Sequence, residues 1–329
     1  MKILLAGPIP NTKSSGGVAV FDKALVDQLR QEGHDVKILT KSKSKNNKDD
    51  TIAIGINQFG AIKKFQPDLI ISSLWYSLFF LHNKVKKIHL VHGFTNLSNY
   101  NFFKFFTMII FDKIISIKFD FILSNSEFTK LINKEIFGLE SNGIFNIGLN
   151  SNISFKENVL KTENTEHKKT FLYVGRLVKA KNVDLIIKSF KELTNKNFEL
   201  QIIGYGNEEA NLKKIAKDDA RIKFIGQINN EQLDTYYWNA DVFISLNPVE
   251  PYGITFLEAA ARGTFIIAPS TGGQLDILKY YPNQYELVDV WNKMEIINAM
   301  INSPKRKLVT WNLQVTMKKT AKEILSYVE

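Results

Sequence analysis

Short runs of Val, Ile, Leu and Phe recur along this chain, each followed by an amphipathic stretch of helical length. That alternation limits the available folds more than any other feature. Strands are predicted at 3–6, 36–40, 69–73, 88–91 and 121–124, then at 171–174, 200–203, 222–225, 242–246 and 265–268. Helices are predicted near 18–32, 76–85, 100–118 and 127–137, then near 182–195, 207–218, 231–238, 254–262 and 292–302. Nearly continuous apolar strands joined by helices imply parallel sheets covered on both faces. A polar stretch, 151–169, divides the pattern, and 329 residues suit two domains better than one. The expectation is an α/β protein of two doubly wound, Rossmann-like domains. Residues 1–155 form the first, 156–169 a linker and 170–311 the second; a terminal helix, 312–329, crosses back to the first. Such sheets bind ligands at the carboxyl ends of their strands, so a central cleft is the expected site.

Composition narrows the class. There is no cysteine, which excludes disulfides and thiolate metal sites. The opening Met1-Lys2-Ile3-Leu4-Leu5-Ala6-Gly7-Pro8 reads as a first strand rather than a signal peptide. The net charge is +10, and residues 1–155 hold 19 Lys/Arg against 12 Asp/Glu. A basic first half suits an acidic partner there. No nucleic-acid partner is expected, because finger spacings and RNP-like strings are missing from the sequence. Residues 101–119 are long, aromatic and basic. Lys104, Asp112, Lys113 and Lys118 interrupt them, which argues against a membrane span. Two readings stay open for this segment: a half-buried helix, or an interfacial helix meeting an anionic membrane surface.

The densest functional signal is Asn247-Pro248-Val249-Glu250-Pro251-Tyr252-Gly253-Ile254-Thr255-Phe256-Leu257-Glu258, which continues into Ala259-Ala260-Ala261-Arg262-Gly263. A strand is broken by Asn-Pro, and Gly253 opens an Ala-rich helix. Amides in such a turn suit an anion, and Gly253 permits close approach. Glu250 precedes the helix and Glu258 lies more than one turn inside it, so the two carboxylates can meet different parts of one molecule. Carboxylates beside an anion site make sense as ligands of hydroxyls, which points to a sugar attached to a phosphate.

Other strand ends contribute. Gly175-Arg176 follows a strand, with Lys181 five residues on; a guanidinium fork and an ammonium suit a diphosphate. Lys179 reads as an exposed loop residue. Gly204 ends a further strand, and the backbone from Gly226 to Ile228 could read a base. Gly16-Gly17 joins the first strand to the first helix. It lacks GxGxxG spacing, which argues against a dinucleotide fingerprint. Of five histidines, His92, at the end of a strand, is the functional candidate; His89 reads as a hydrogen-bonded core residue and His34 as a turn residue. No histidine pair has metal-ligand spacing, so no metal is expected.

The ordered set Gly16-Gly17, His92, Arg176, Lys181, Glu250, Gly253 and Glu258 resembles the retaining GT-B glycosyltransferases of family 4. The likeness is strongest over 171–278; Thr310-Trp311 before the last helix also resembles that family's ending. The resemblance implies transfer of a sugar from a nucleotide-sugar donor, with retained anomeric configuration and no cofactor. Arg176 and Lys181 would hold the donor phosphates, Glu258 the ribose hydroxyls, and Glu250 the sugar or reacting centre. Backbone at Gly17 and around Gly253, including Tyr252, Ile254 and Thr255, would bind sugar or diphosphate, and His92 would orient the sugar. A glycan or lipid-linked saccharide acceptor is implied, with a cytoplasmic or peripheral inner-membrane location. Two positions depart from the pattern: Asn182 stands where Gly often follows the lysine, and Gln274-Leu275-Asp276 where an acidic residue often follows Gly272-Gly273. The competing reading is a catalytically degenerate subunit supporting a partner enzyme. An epimerase or nicotinamide dehydrogenase fits less well, for want of further acid/base groups or the glycine fingerprint.

Overall fold

A computed structural model describes residues 1–9, 17–41, 50–55, 58–94, 102–149, 168–305 and 315–328. The chain forms two compact units, Met1–Ile153 with Leu313–Glu329, and Ser154–Asn312.

The first unit holds strands β1 (Lys2–Ala6), β2 (Asp35–Thr40), β3 (Thr51–Ala53), β4 (Leu69–Ser73), β5 (Lys86–Val91), β6 (Phe121–Ser124) and β7 (Gly143–Ile144). They form one sheet in the order β3-β2-β1-β4-β5-β6-β7, parallel throughout. Helices α1 (Gly17–Gln31), α2 (Gln58–Phe65), α3 (Phe102–Lys118) and α4 (Glu127–Phe137) connect them. The period-2 alternation of β1 sorts its side chains between two cores. Ile3 and Leu5 join Leu25 and Leu29 of α1 on one face, while Leu4 and Ala6 join Phe80, Ile115 and Phe119 on the other.

The second unit contributes β8 (Lys169–Val174), β9 (Phe198–Ile203), β10 (Ile222–Gly226), β11 (Val242–Ile244), β12 (Phe265–Pro269) and β13 (Tyr285–Val288). The order is β10-β9-β8-β11-β12-β13, again parallel. Its helices are α5 (Val183–Lys191), α6 (Glu209–Ala216), α7 (Asn230–Asn239), α8 (Ile254–Ala260), α9 (Leu275–Leu278) and α10 (Lys293–Asn302). Phe171, Tyr173, Ile186, Phe190, Val242 and Met300 centre its core.

The last helix, α11 (Met317–Leu325), belongs to the first unit. Met317, Ala321, Ile324 and Leu325 pack into the α1 face of the first sheet, and Thr320 Oγ donates to the Asn146 carbonyl. Residues 306–314, including Thr310-Trp311, lie outside the described residues.

Every predicted strand is present, though 242–246 is shorter, ending at Ile244. The sequence reading missed β3, β7 and β13, together with α2 and α9. The three strands are short and sit at or next to sheet edges, where half the pairing is missing and the apolar signal is weakest. The stretch predicted as a helix at 76–85 is a 3-10 turn, Leu74–Phe80, entered through Leu74 at φ 56.

Candidate active site

In a parallel sheet every strand ends at the same edge, so turns far apart in sequence become neighbours there. At the carboxyl edge of the second sheet, Gly175 N donates to Ile203 O (3.0 Å) and Gly204 N donates to Gly226 O (2.9 Å). The backbones after β8, β9 and β10 are thereby tied to one another. A Cβ on Gly204 would stand 1.8 Å from Gly175 O, and φ is +139 there. The glycine is needed for backbone contact. At Gly226, φ is +82 but a Cβ would meet nothing within 4 Å. Ile228 is half-buried.

Arg176 and Lys179 are exposed, and Lys181 is half-buried. Tyr173 Oη donates to the Arg176 carbonyl (3.0 Å), anchoring the turn that carries the guanidinium. Lys181 ends a short 3-10 turn, Lys179–Lys181. The next residue, Asn182, adopts φ 51 and ψ 35, left-handed space that Asn tolerates better than most residues. Its Nδ2 donates to Leu246 O (2.9 Å), joining this turn to the end of β11. The substitution of Asn for the expected Gly thus preserves the turn and adds a tether.

Lys181 Nζ forms an ion pair with the Glu250 carboxylate, across 69 positions of sequence. Asn247 Nδ2 donates to the same Glu250 Oε2 (3.0 Å), and Gly273 N donates to Glu250 O (2.7 Å). Glu250 is therefore held from three sides: the turn after β8, its own loop and the turn after β12. Gly253, at φ +89, opens the short α8, and a Cβ there would press on Phe256 at 2.6 Å. Ile254 and Thr255 are half-buried. The Tyr252 side chain is buried at 4% exposure, which leaves its backbone as the part available to a ligand.

Glu258 lies inside α8 and is half-buried. Its Oε2 accepts from Tyr237 Oη (2.8 Å), while Arg262 Nη1 donates to the Glu258 carbonyl (2.7 Å) and Arg262 Nε to Asp234 Oδ1 (2.6 Å). Burial pushes the Glu258 carboxyl above the usual range, against the opposing pull of Tyr237 and Arg262. Burial and the Glu258 charge push the Tyr237 hydroxyl well above its usual range. The sequence reading missed Tyr237, Asp234 and the work of Arg262. Only Arg262, one turn after Glu258, left a local signal. Gln274 is fully buried and its Nε2 donates to Pro269 O (3.0 Å) and Thr271 O (2.6 Å), so this residue braces the loop after β12.

In the first unit Gly16 lies outside the described residues, and Gly17 is the exposed first residue of α1. His92 follows β5 at the sheet's carboxyl edge, but its imidazole turns inward and is only 4% exposed. It packs edge-on against Phe21 and Phe145, and Nε2 lies 3.1 Å from Ser73 Oγ. Burial, and then the charge of His89, hold it down to about 3, so the ring is neutral. The ring is turned from solvent into the apolar pocket between the two phenylalanines, where packing outweighs exposure. His89 is a hydrogen-bonded core residue, with Nδ1 2.6 Å from Ser77 Oγ.

Behind His92 lies a residue the sequence reading passed over. Asp22 of α1 is fully buried; Oδ1 accepts from Ser73 Oγ (2.9 Å), and Oδ2 has no hydrogen-bond partner among the described residues. Burial pushes its carboxyl up to about 8, against the Ser73 bond. Gly7 closes over it: a Cβ there would fall 2.0 Å from Asp22 Oδ2. The available signal was an aspartate on the same helix face as Leu25, Val26 and Leu29.

Two parallel, Rossmann-like sheets, the second with cations, carboxylates and glycine turns gathered at its carboxyl edge, define the class of the protein as doubly wound α/β. Residues 154–323 match the family model for glycosyl transferases group 1. The chain belongs to that family, and it is a glycosyltransferase of the GT-B architecture. An uncharacterized glycosyltransferase of Methanocaldococcus jannaschii is 33% identical over 122 residues, covering 36% of this chain and 31% of that protein. The chain thus spans about a third of that relative's length. An uncharacterized glycosyltransferase of Haemophilus influenzae is 23% identical over 333 residues, 90% of each chain. Among solved structures, sucrose-phosphate synthase from Thermosynechococcus elongatus aligns with a TM-score of 0.74 at 17% identity, covering 99% of this chain and 94% of that one. HepE of Anabaena in complex with UDP and glucose aligns at 0.66 and 14%, covering 99% and 95%.

Proposed function

We propose that this chain is a retaining glycosyltransferase that moves a hexosyl or N-acetylhexosaminyl unit from a nucleotide sugar to a glycan or lipid-linked acceptor in bacterial surface polysaccharide synthesis. The observation that carries the donor assignment is the meeting of Lys181 and Glu250 from separate strand ends, with Arg176 exposed on the first of those turns and Glu258 in the helix after the second. A UDP-sugar is favoured over a GDP-sugar, supported by a structural neighbour that holds UDP and glucose.

In this reading Arg176 and Lys181 bind the diphosphate. The donor phosphate competes with Glu250 for the Lys181 ammonium, which turns the Glu250 carboxylate toward the sugar. Glu258 offers Oε1 to the ribose hydroxyls while Tyr237 fixes Oε2. The anomeric C–O bond breaks and its electron pair leaves with the diphosphate. The acceptor oxygen bonds to the anomeric carbon on the same face, and its proton passes to a departing phosphate oxygen. Charge grows on the diphosphate, so preorganised cations act where they are worth most. His92 enters only as a packed, neutral support for the first sheet's edge. The acceptor would be met by the first unit, whose basic surplus suits an anionic lipid-linked saccharide, at the inner face of the cytoplasmic membrane.

The test is a panel of radiolabelled nucleotide sugars incubated with the protein and bacterial membrane lipids, followed by anomeric analysis of the product. Label transferred with retained configuration supports the proposal; inverted configuration removes the retaining mechanism. No transfer and no slow donor hydrolysis from any donor, by protein that is folded, favours the degenerate subunit. Arg176→Ala and Lys181→Met are expected to lower turnover by roughly 10²–10³ each. Unchanged UDP binding by calorimetry in Arg176→Ala and Glu258→Ala would sink the site assignment.

A further inference from the structure

We propose that α3 is a docking helix for an anionic lipid bilayer, lying in the plane of the headgroups with its outer stripe immersed. The claim goes beyond sugar transfer and does not depend on it.

A helix that is apolar all the way round belongs in a core or in lipid. Helix α3, FFKFFTMIIFDKIISIK, has one fully buried residue, Ile115. Its large apolar side chains face outward instead: Phe102 is 65% exposed, Phe103 83%, Phe106 46%, Ile110 56%, Ile114 37% and Ile117 78%. At about 100° per residue these six fall within an arc of roughly 120° along a helix about 25 Å long. The inner face is accounted for: Ile115 joins the core with Phe119 and Ile122, and Phe105 meets Phe137 of α4. Among the described residues nothing of this chain lies over the outer stripe.

Charge identifies the occupant. On the same helical projection Lys113 lies near one edge of the stripe, between Phe102 and Phe106, Lys118 lies just beyond Ile114 at the other edge, and Lys104 next beyond Lys118, all three exposed. No exposed residue of α3 is acidic; Asp112 projects to the inner side. Exposed aromatic and aliphatic groups on a helix whose exposed charges are all ammonium groups fit a surface that is apolar beneath and anionic at its rim, which describes an anionic bilayer. A second copy of the chain fits poorly, because its own α3 would bring more lysines and no exposed carboxylate to meet them. No helix among the described residues, α3 included, is long and apolar enough to cross a bilayer.

The test is vesicle flotation of the full chain, with size-exclusion chromatography in parallel. The expected result is at least tenfold more protein floating with vesicles of equal phosphatidylcholine and phosphatidylglycerol than with phosphatidylcholine alone, with the difference collapsing in 1 M salt. The triple variant Phe103→Ser, Phe106→Ser, Ile117→Ser is expected to lose flotation at least tenfold. Lys113→Gln with Lys118→Gln is expected to lose the preference for anionic vesicles. Because these side chains are exposed, the variants should keep the parent's circular dichroism and UDP affinity in solution. The proposal is overturned if the parent stays unfloated with every vesicle, or if the triple variant floats as well as the parent. It is likewise overturned if the parent ignores vesicles and elutes as a dimer that the triple variant dissolves, which would make α3 a self-association surface. UDP affinity reports on the donor site alone, so a failure of docking and a failure of the donor assignment are separable.

Discussion

The Tyr237 hydroxyl donates to Glu258 Oε2 at 2.8 Å, from a tyrosine 1% exposed to a carboxylate 21 positions later. A hydrogen bond onto a carboxylate already raised by burial favours its ionised form. Tyr237→Phe removes that help, so the Glu258 carboxyl climbs further and ionises only at higher pH. Donor affinity near neutral pH is expected to fall about tenfold, the loss of a charged hydrogen bond worth roughly 1.5–3 kcal/mol, shared with Arg262. Affinity should recover as the pH is raised. Calorimetric titration with UDP from pH 6 to 9 checks this; a variant with the parent's affinity and pH profile would show that Glu258 is not the group that holds the ribose.

Two glycines at adjacent strand ends should respond differently to the same change. Gly204→Ala forces a Cβ onto a backbone oxygen at 1.8 Å and φ +139, with no flexible side chain to give way. It is expected to destabilise the second unit by roughly 3 kcal/mol or more. Gly226→Ala meets only the left-handed backbone cost, about 1–2 kcal/mol. Urea unfolding of both variants measures the gap. Equal losses would mean that the two strand ends are not locked backbone to backbone.

Asp22 should make stability fall as pH rises. Its carboxyl titrates near 3.8 unfolded and at about 8 in the fold, so between those values the folded chain holds a proton that the unfolded chain has released. Stability from this group is complete below pH 3.8 and is lost as pH climbs through about 8, a change on the order of 5 kcal/mol. His92, at about 3, and His89, at about 4, act in the opposite sense up to about 6.5, because the unfolded imidazoles bind protons the folded ones refuse. Above 6.5 only Asp22 among these three still titrates. Asp22→Asn is therefore expected to flatten the urea midpoint between pH 6.5 and 8. An unchanged slope in the variant would mean that the buried acid is ionised throughout.

Much of the fold could be read from local pattern. The ten predicted strands announced themselves by apolar runs, seven of them followed at once by Gly, Asn or Pro, because a strand covered on both faces must be apolar along its length. Edge strands such as Thr51–Ala53 and Gly143–Ile144 did not, because one side of each has no neighbour to demand it. The site divides in the same way. Gly253, Glu250 and Glu258 stood out because one strand–loop–helix turn carries all three. Tyr237, Asp234 and Asp22 did not, since each acquires its partner from a distant segment.

His92 shows the limit most sharply. Its position at the end of β5 was legible; the direction of its ring was decided by Phe21 and Phe145, which arrive from α1 and the segment after β7. The residues 101–119 show the converse. Their apolar and basic character was plain in the order of amino acids, yet a buried helix and an interfacial one are written alike. Periodicity and turn chemistry are local properties, so sequence alone determined two parallel α/β sheets and the strand ends that carry charge. Burial and side-chain direction arise only when distant segments pack, so the tertiary structure decided that Lys181 meets Glu250, that His92 faces inward, and that α3 faces out.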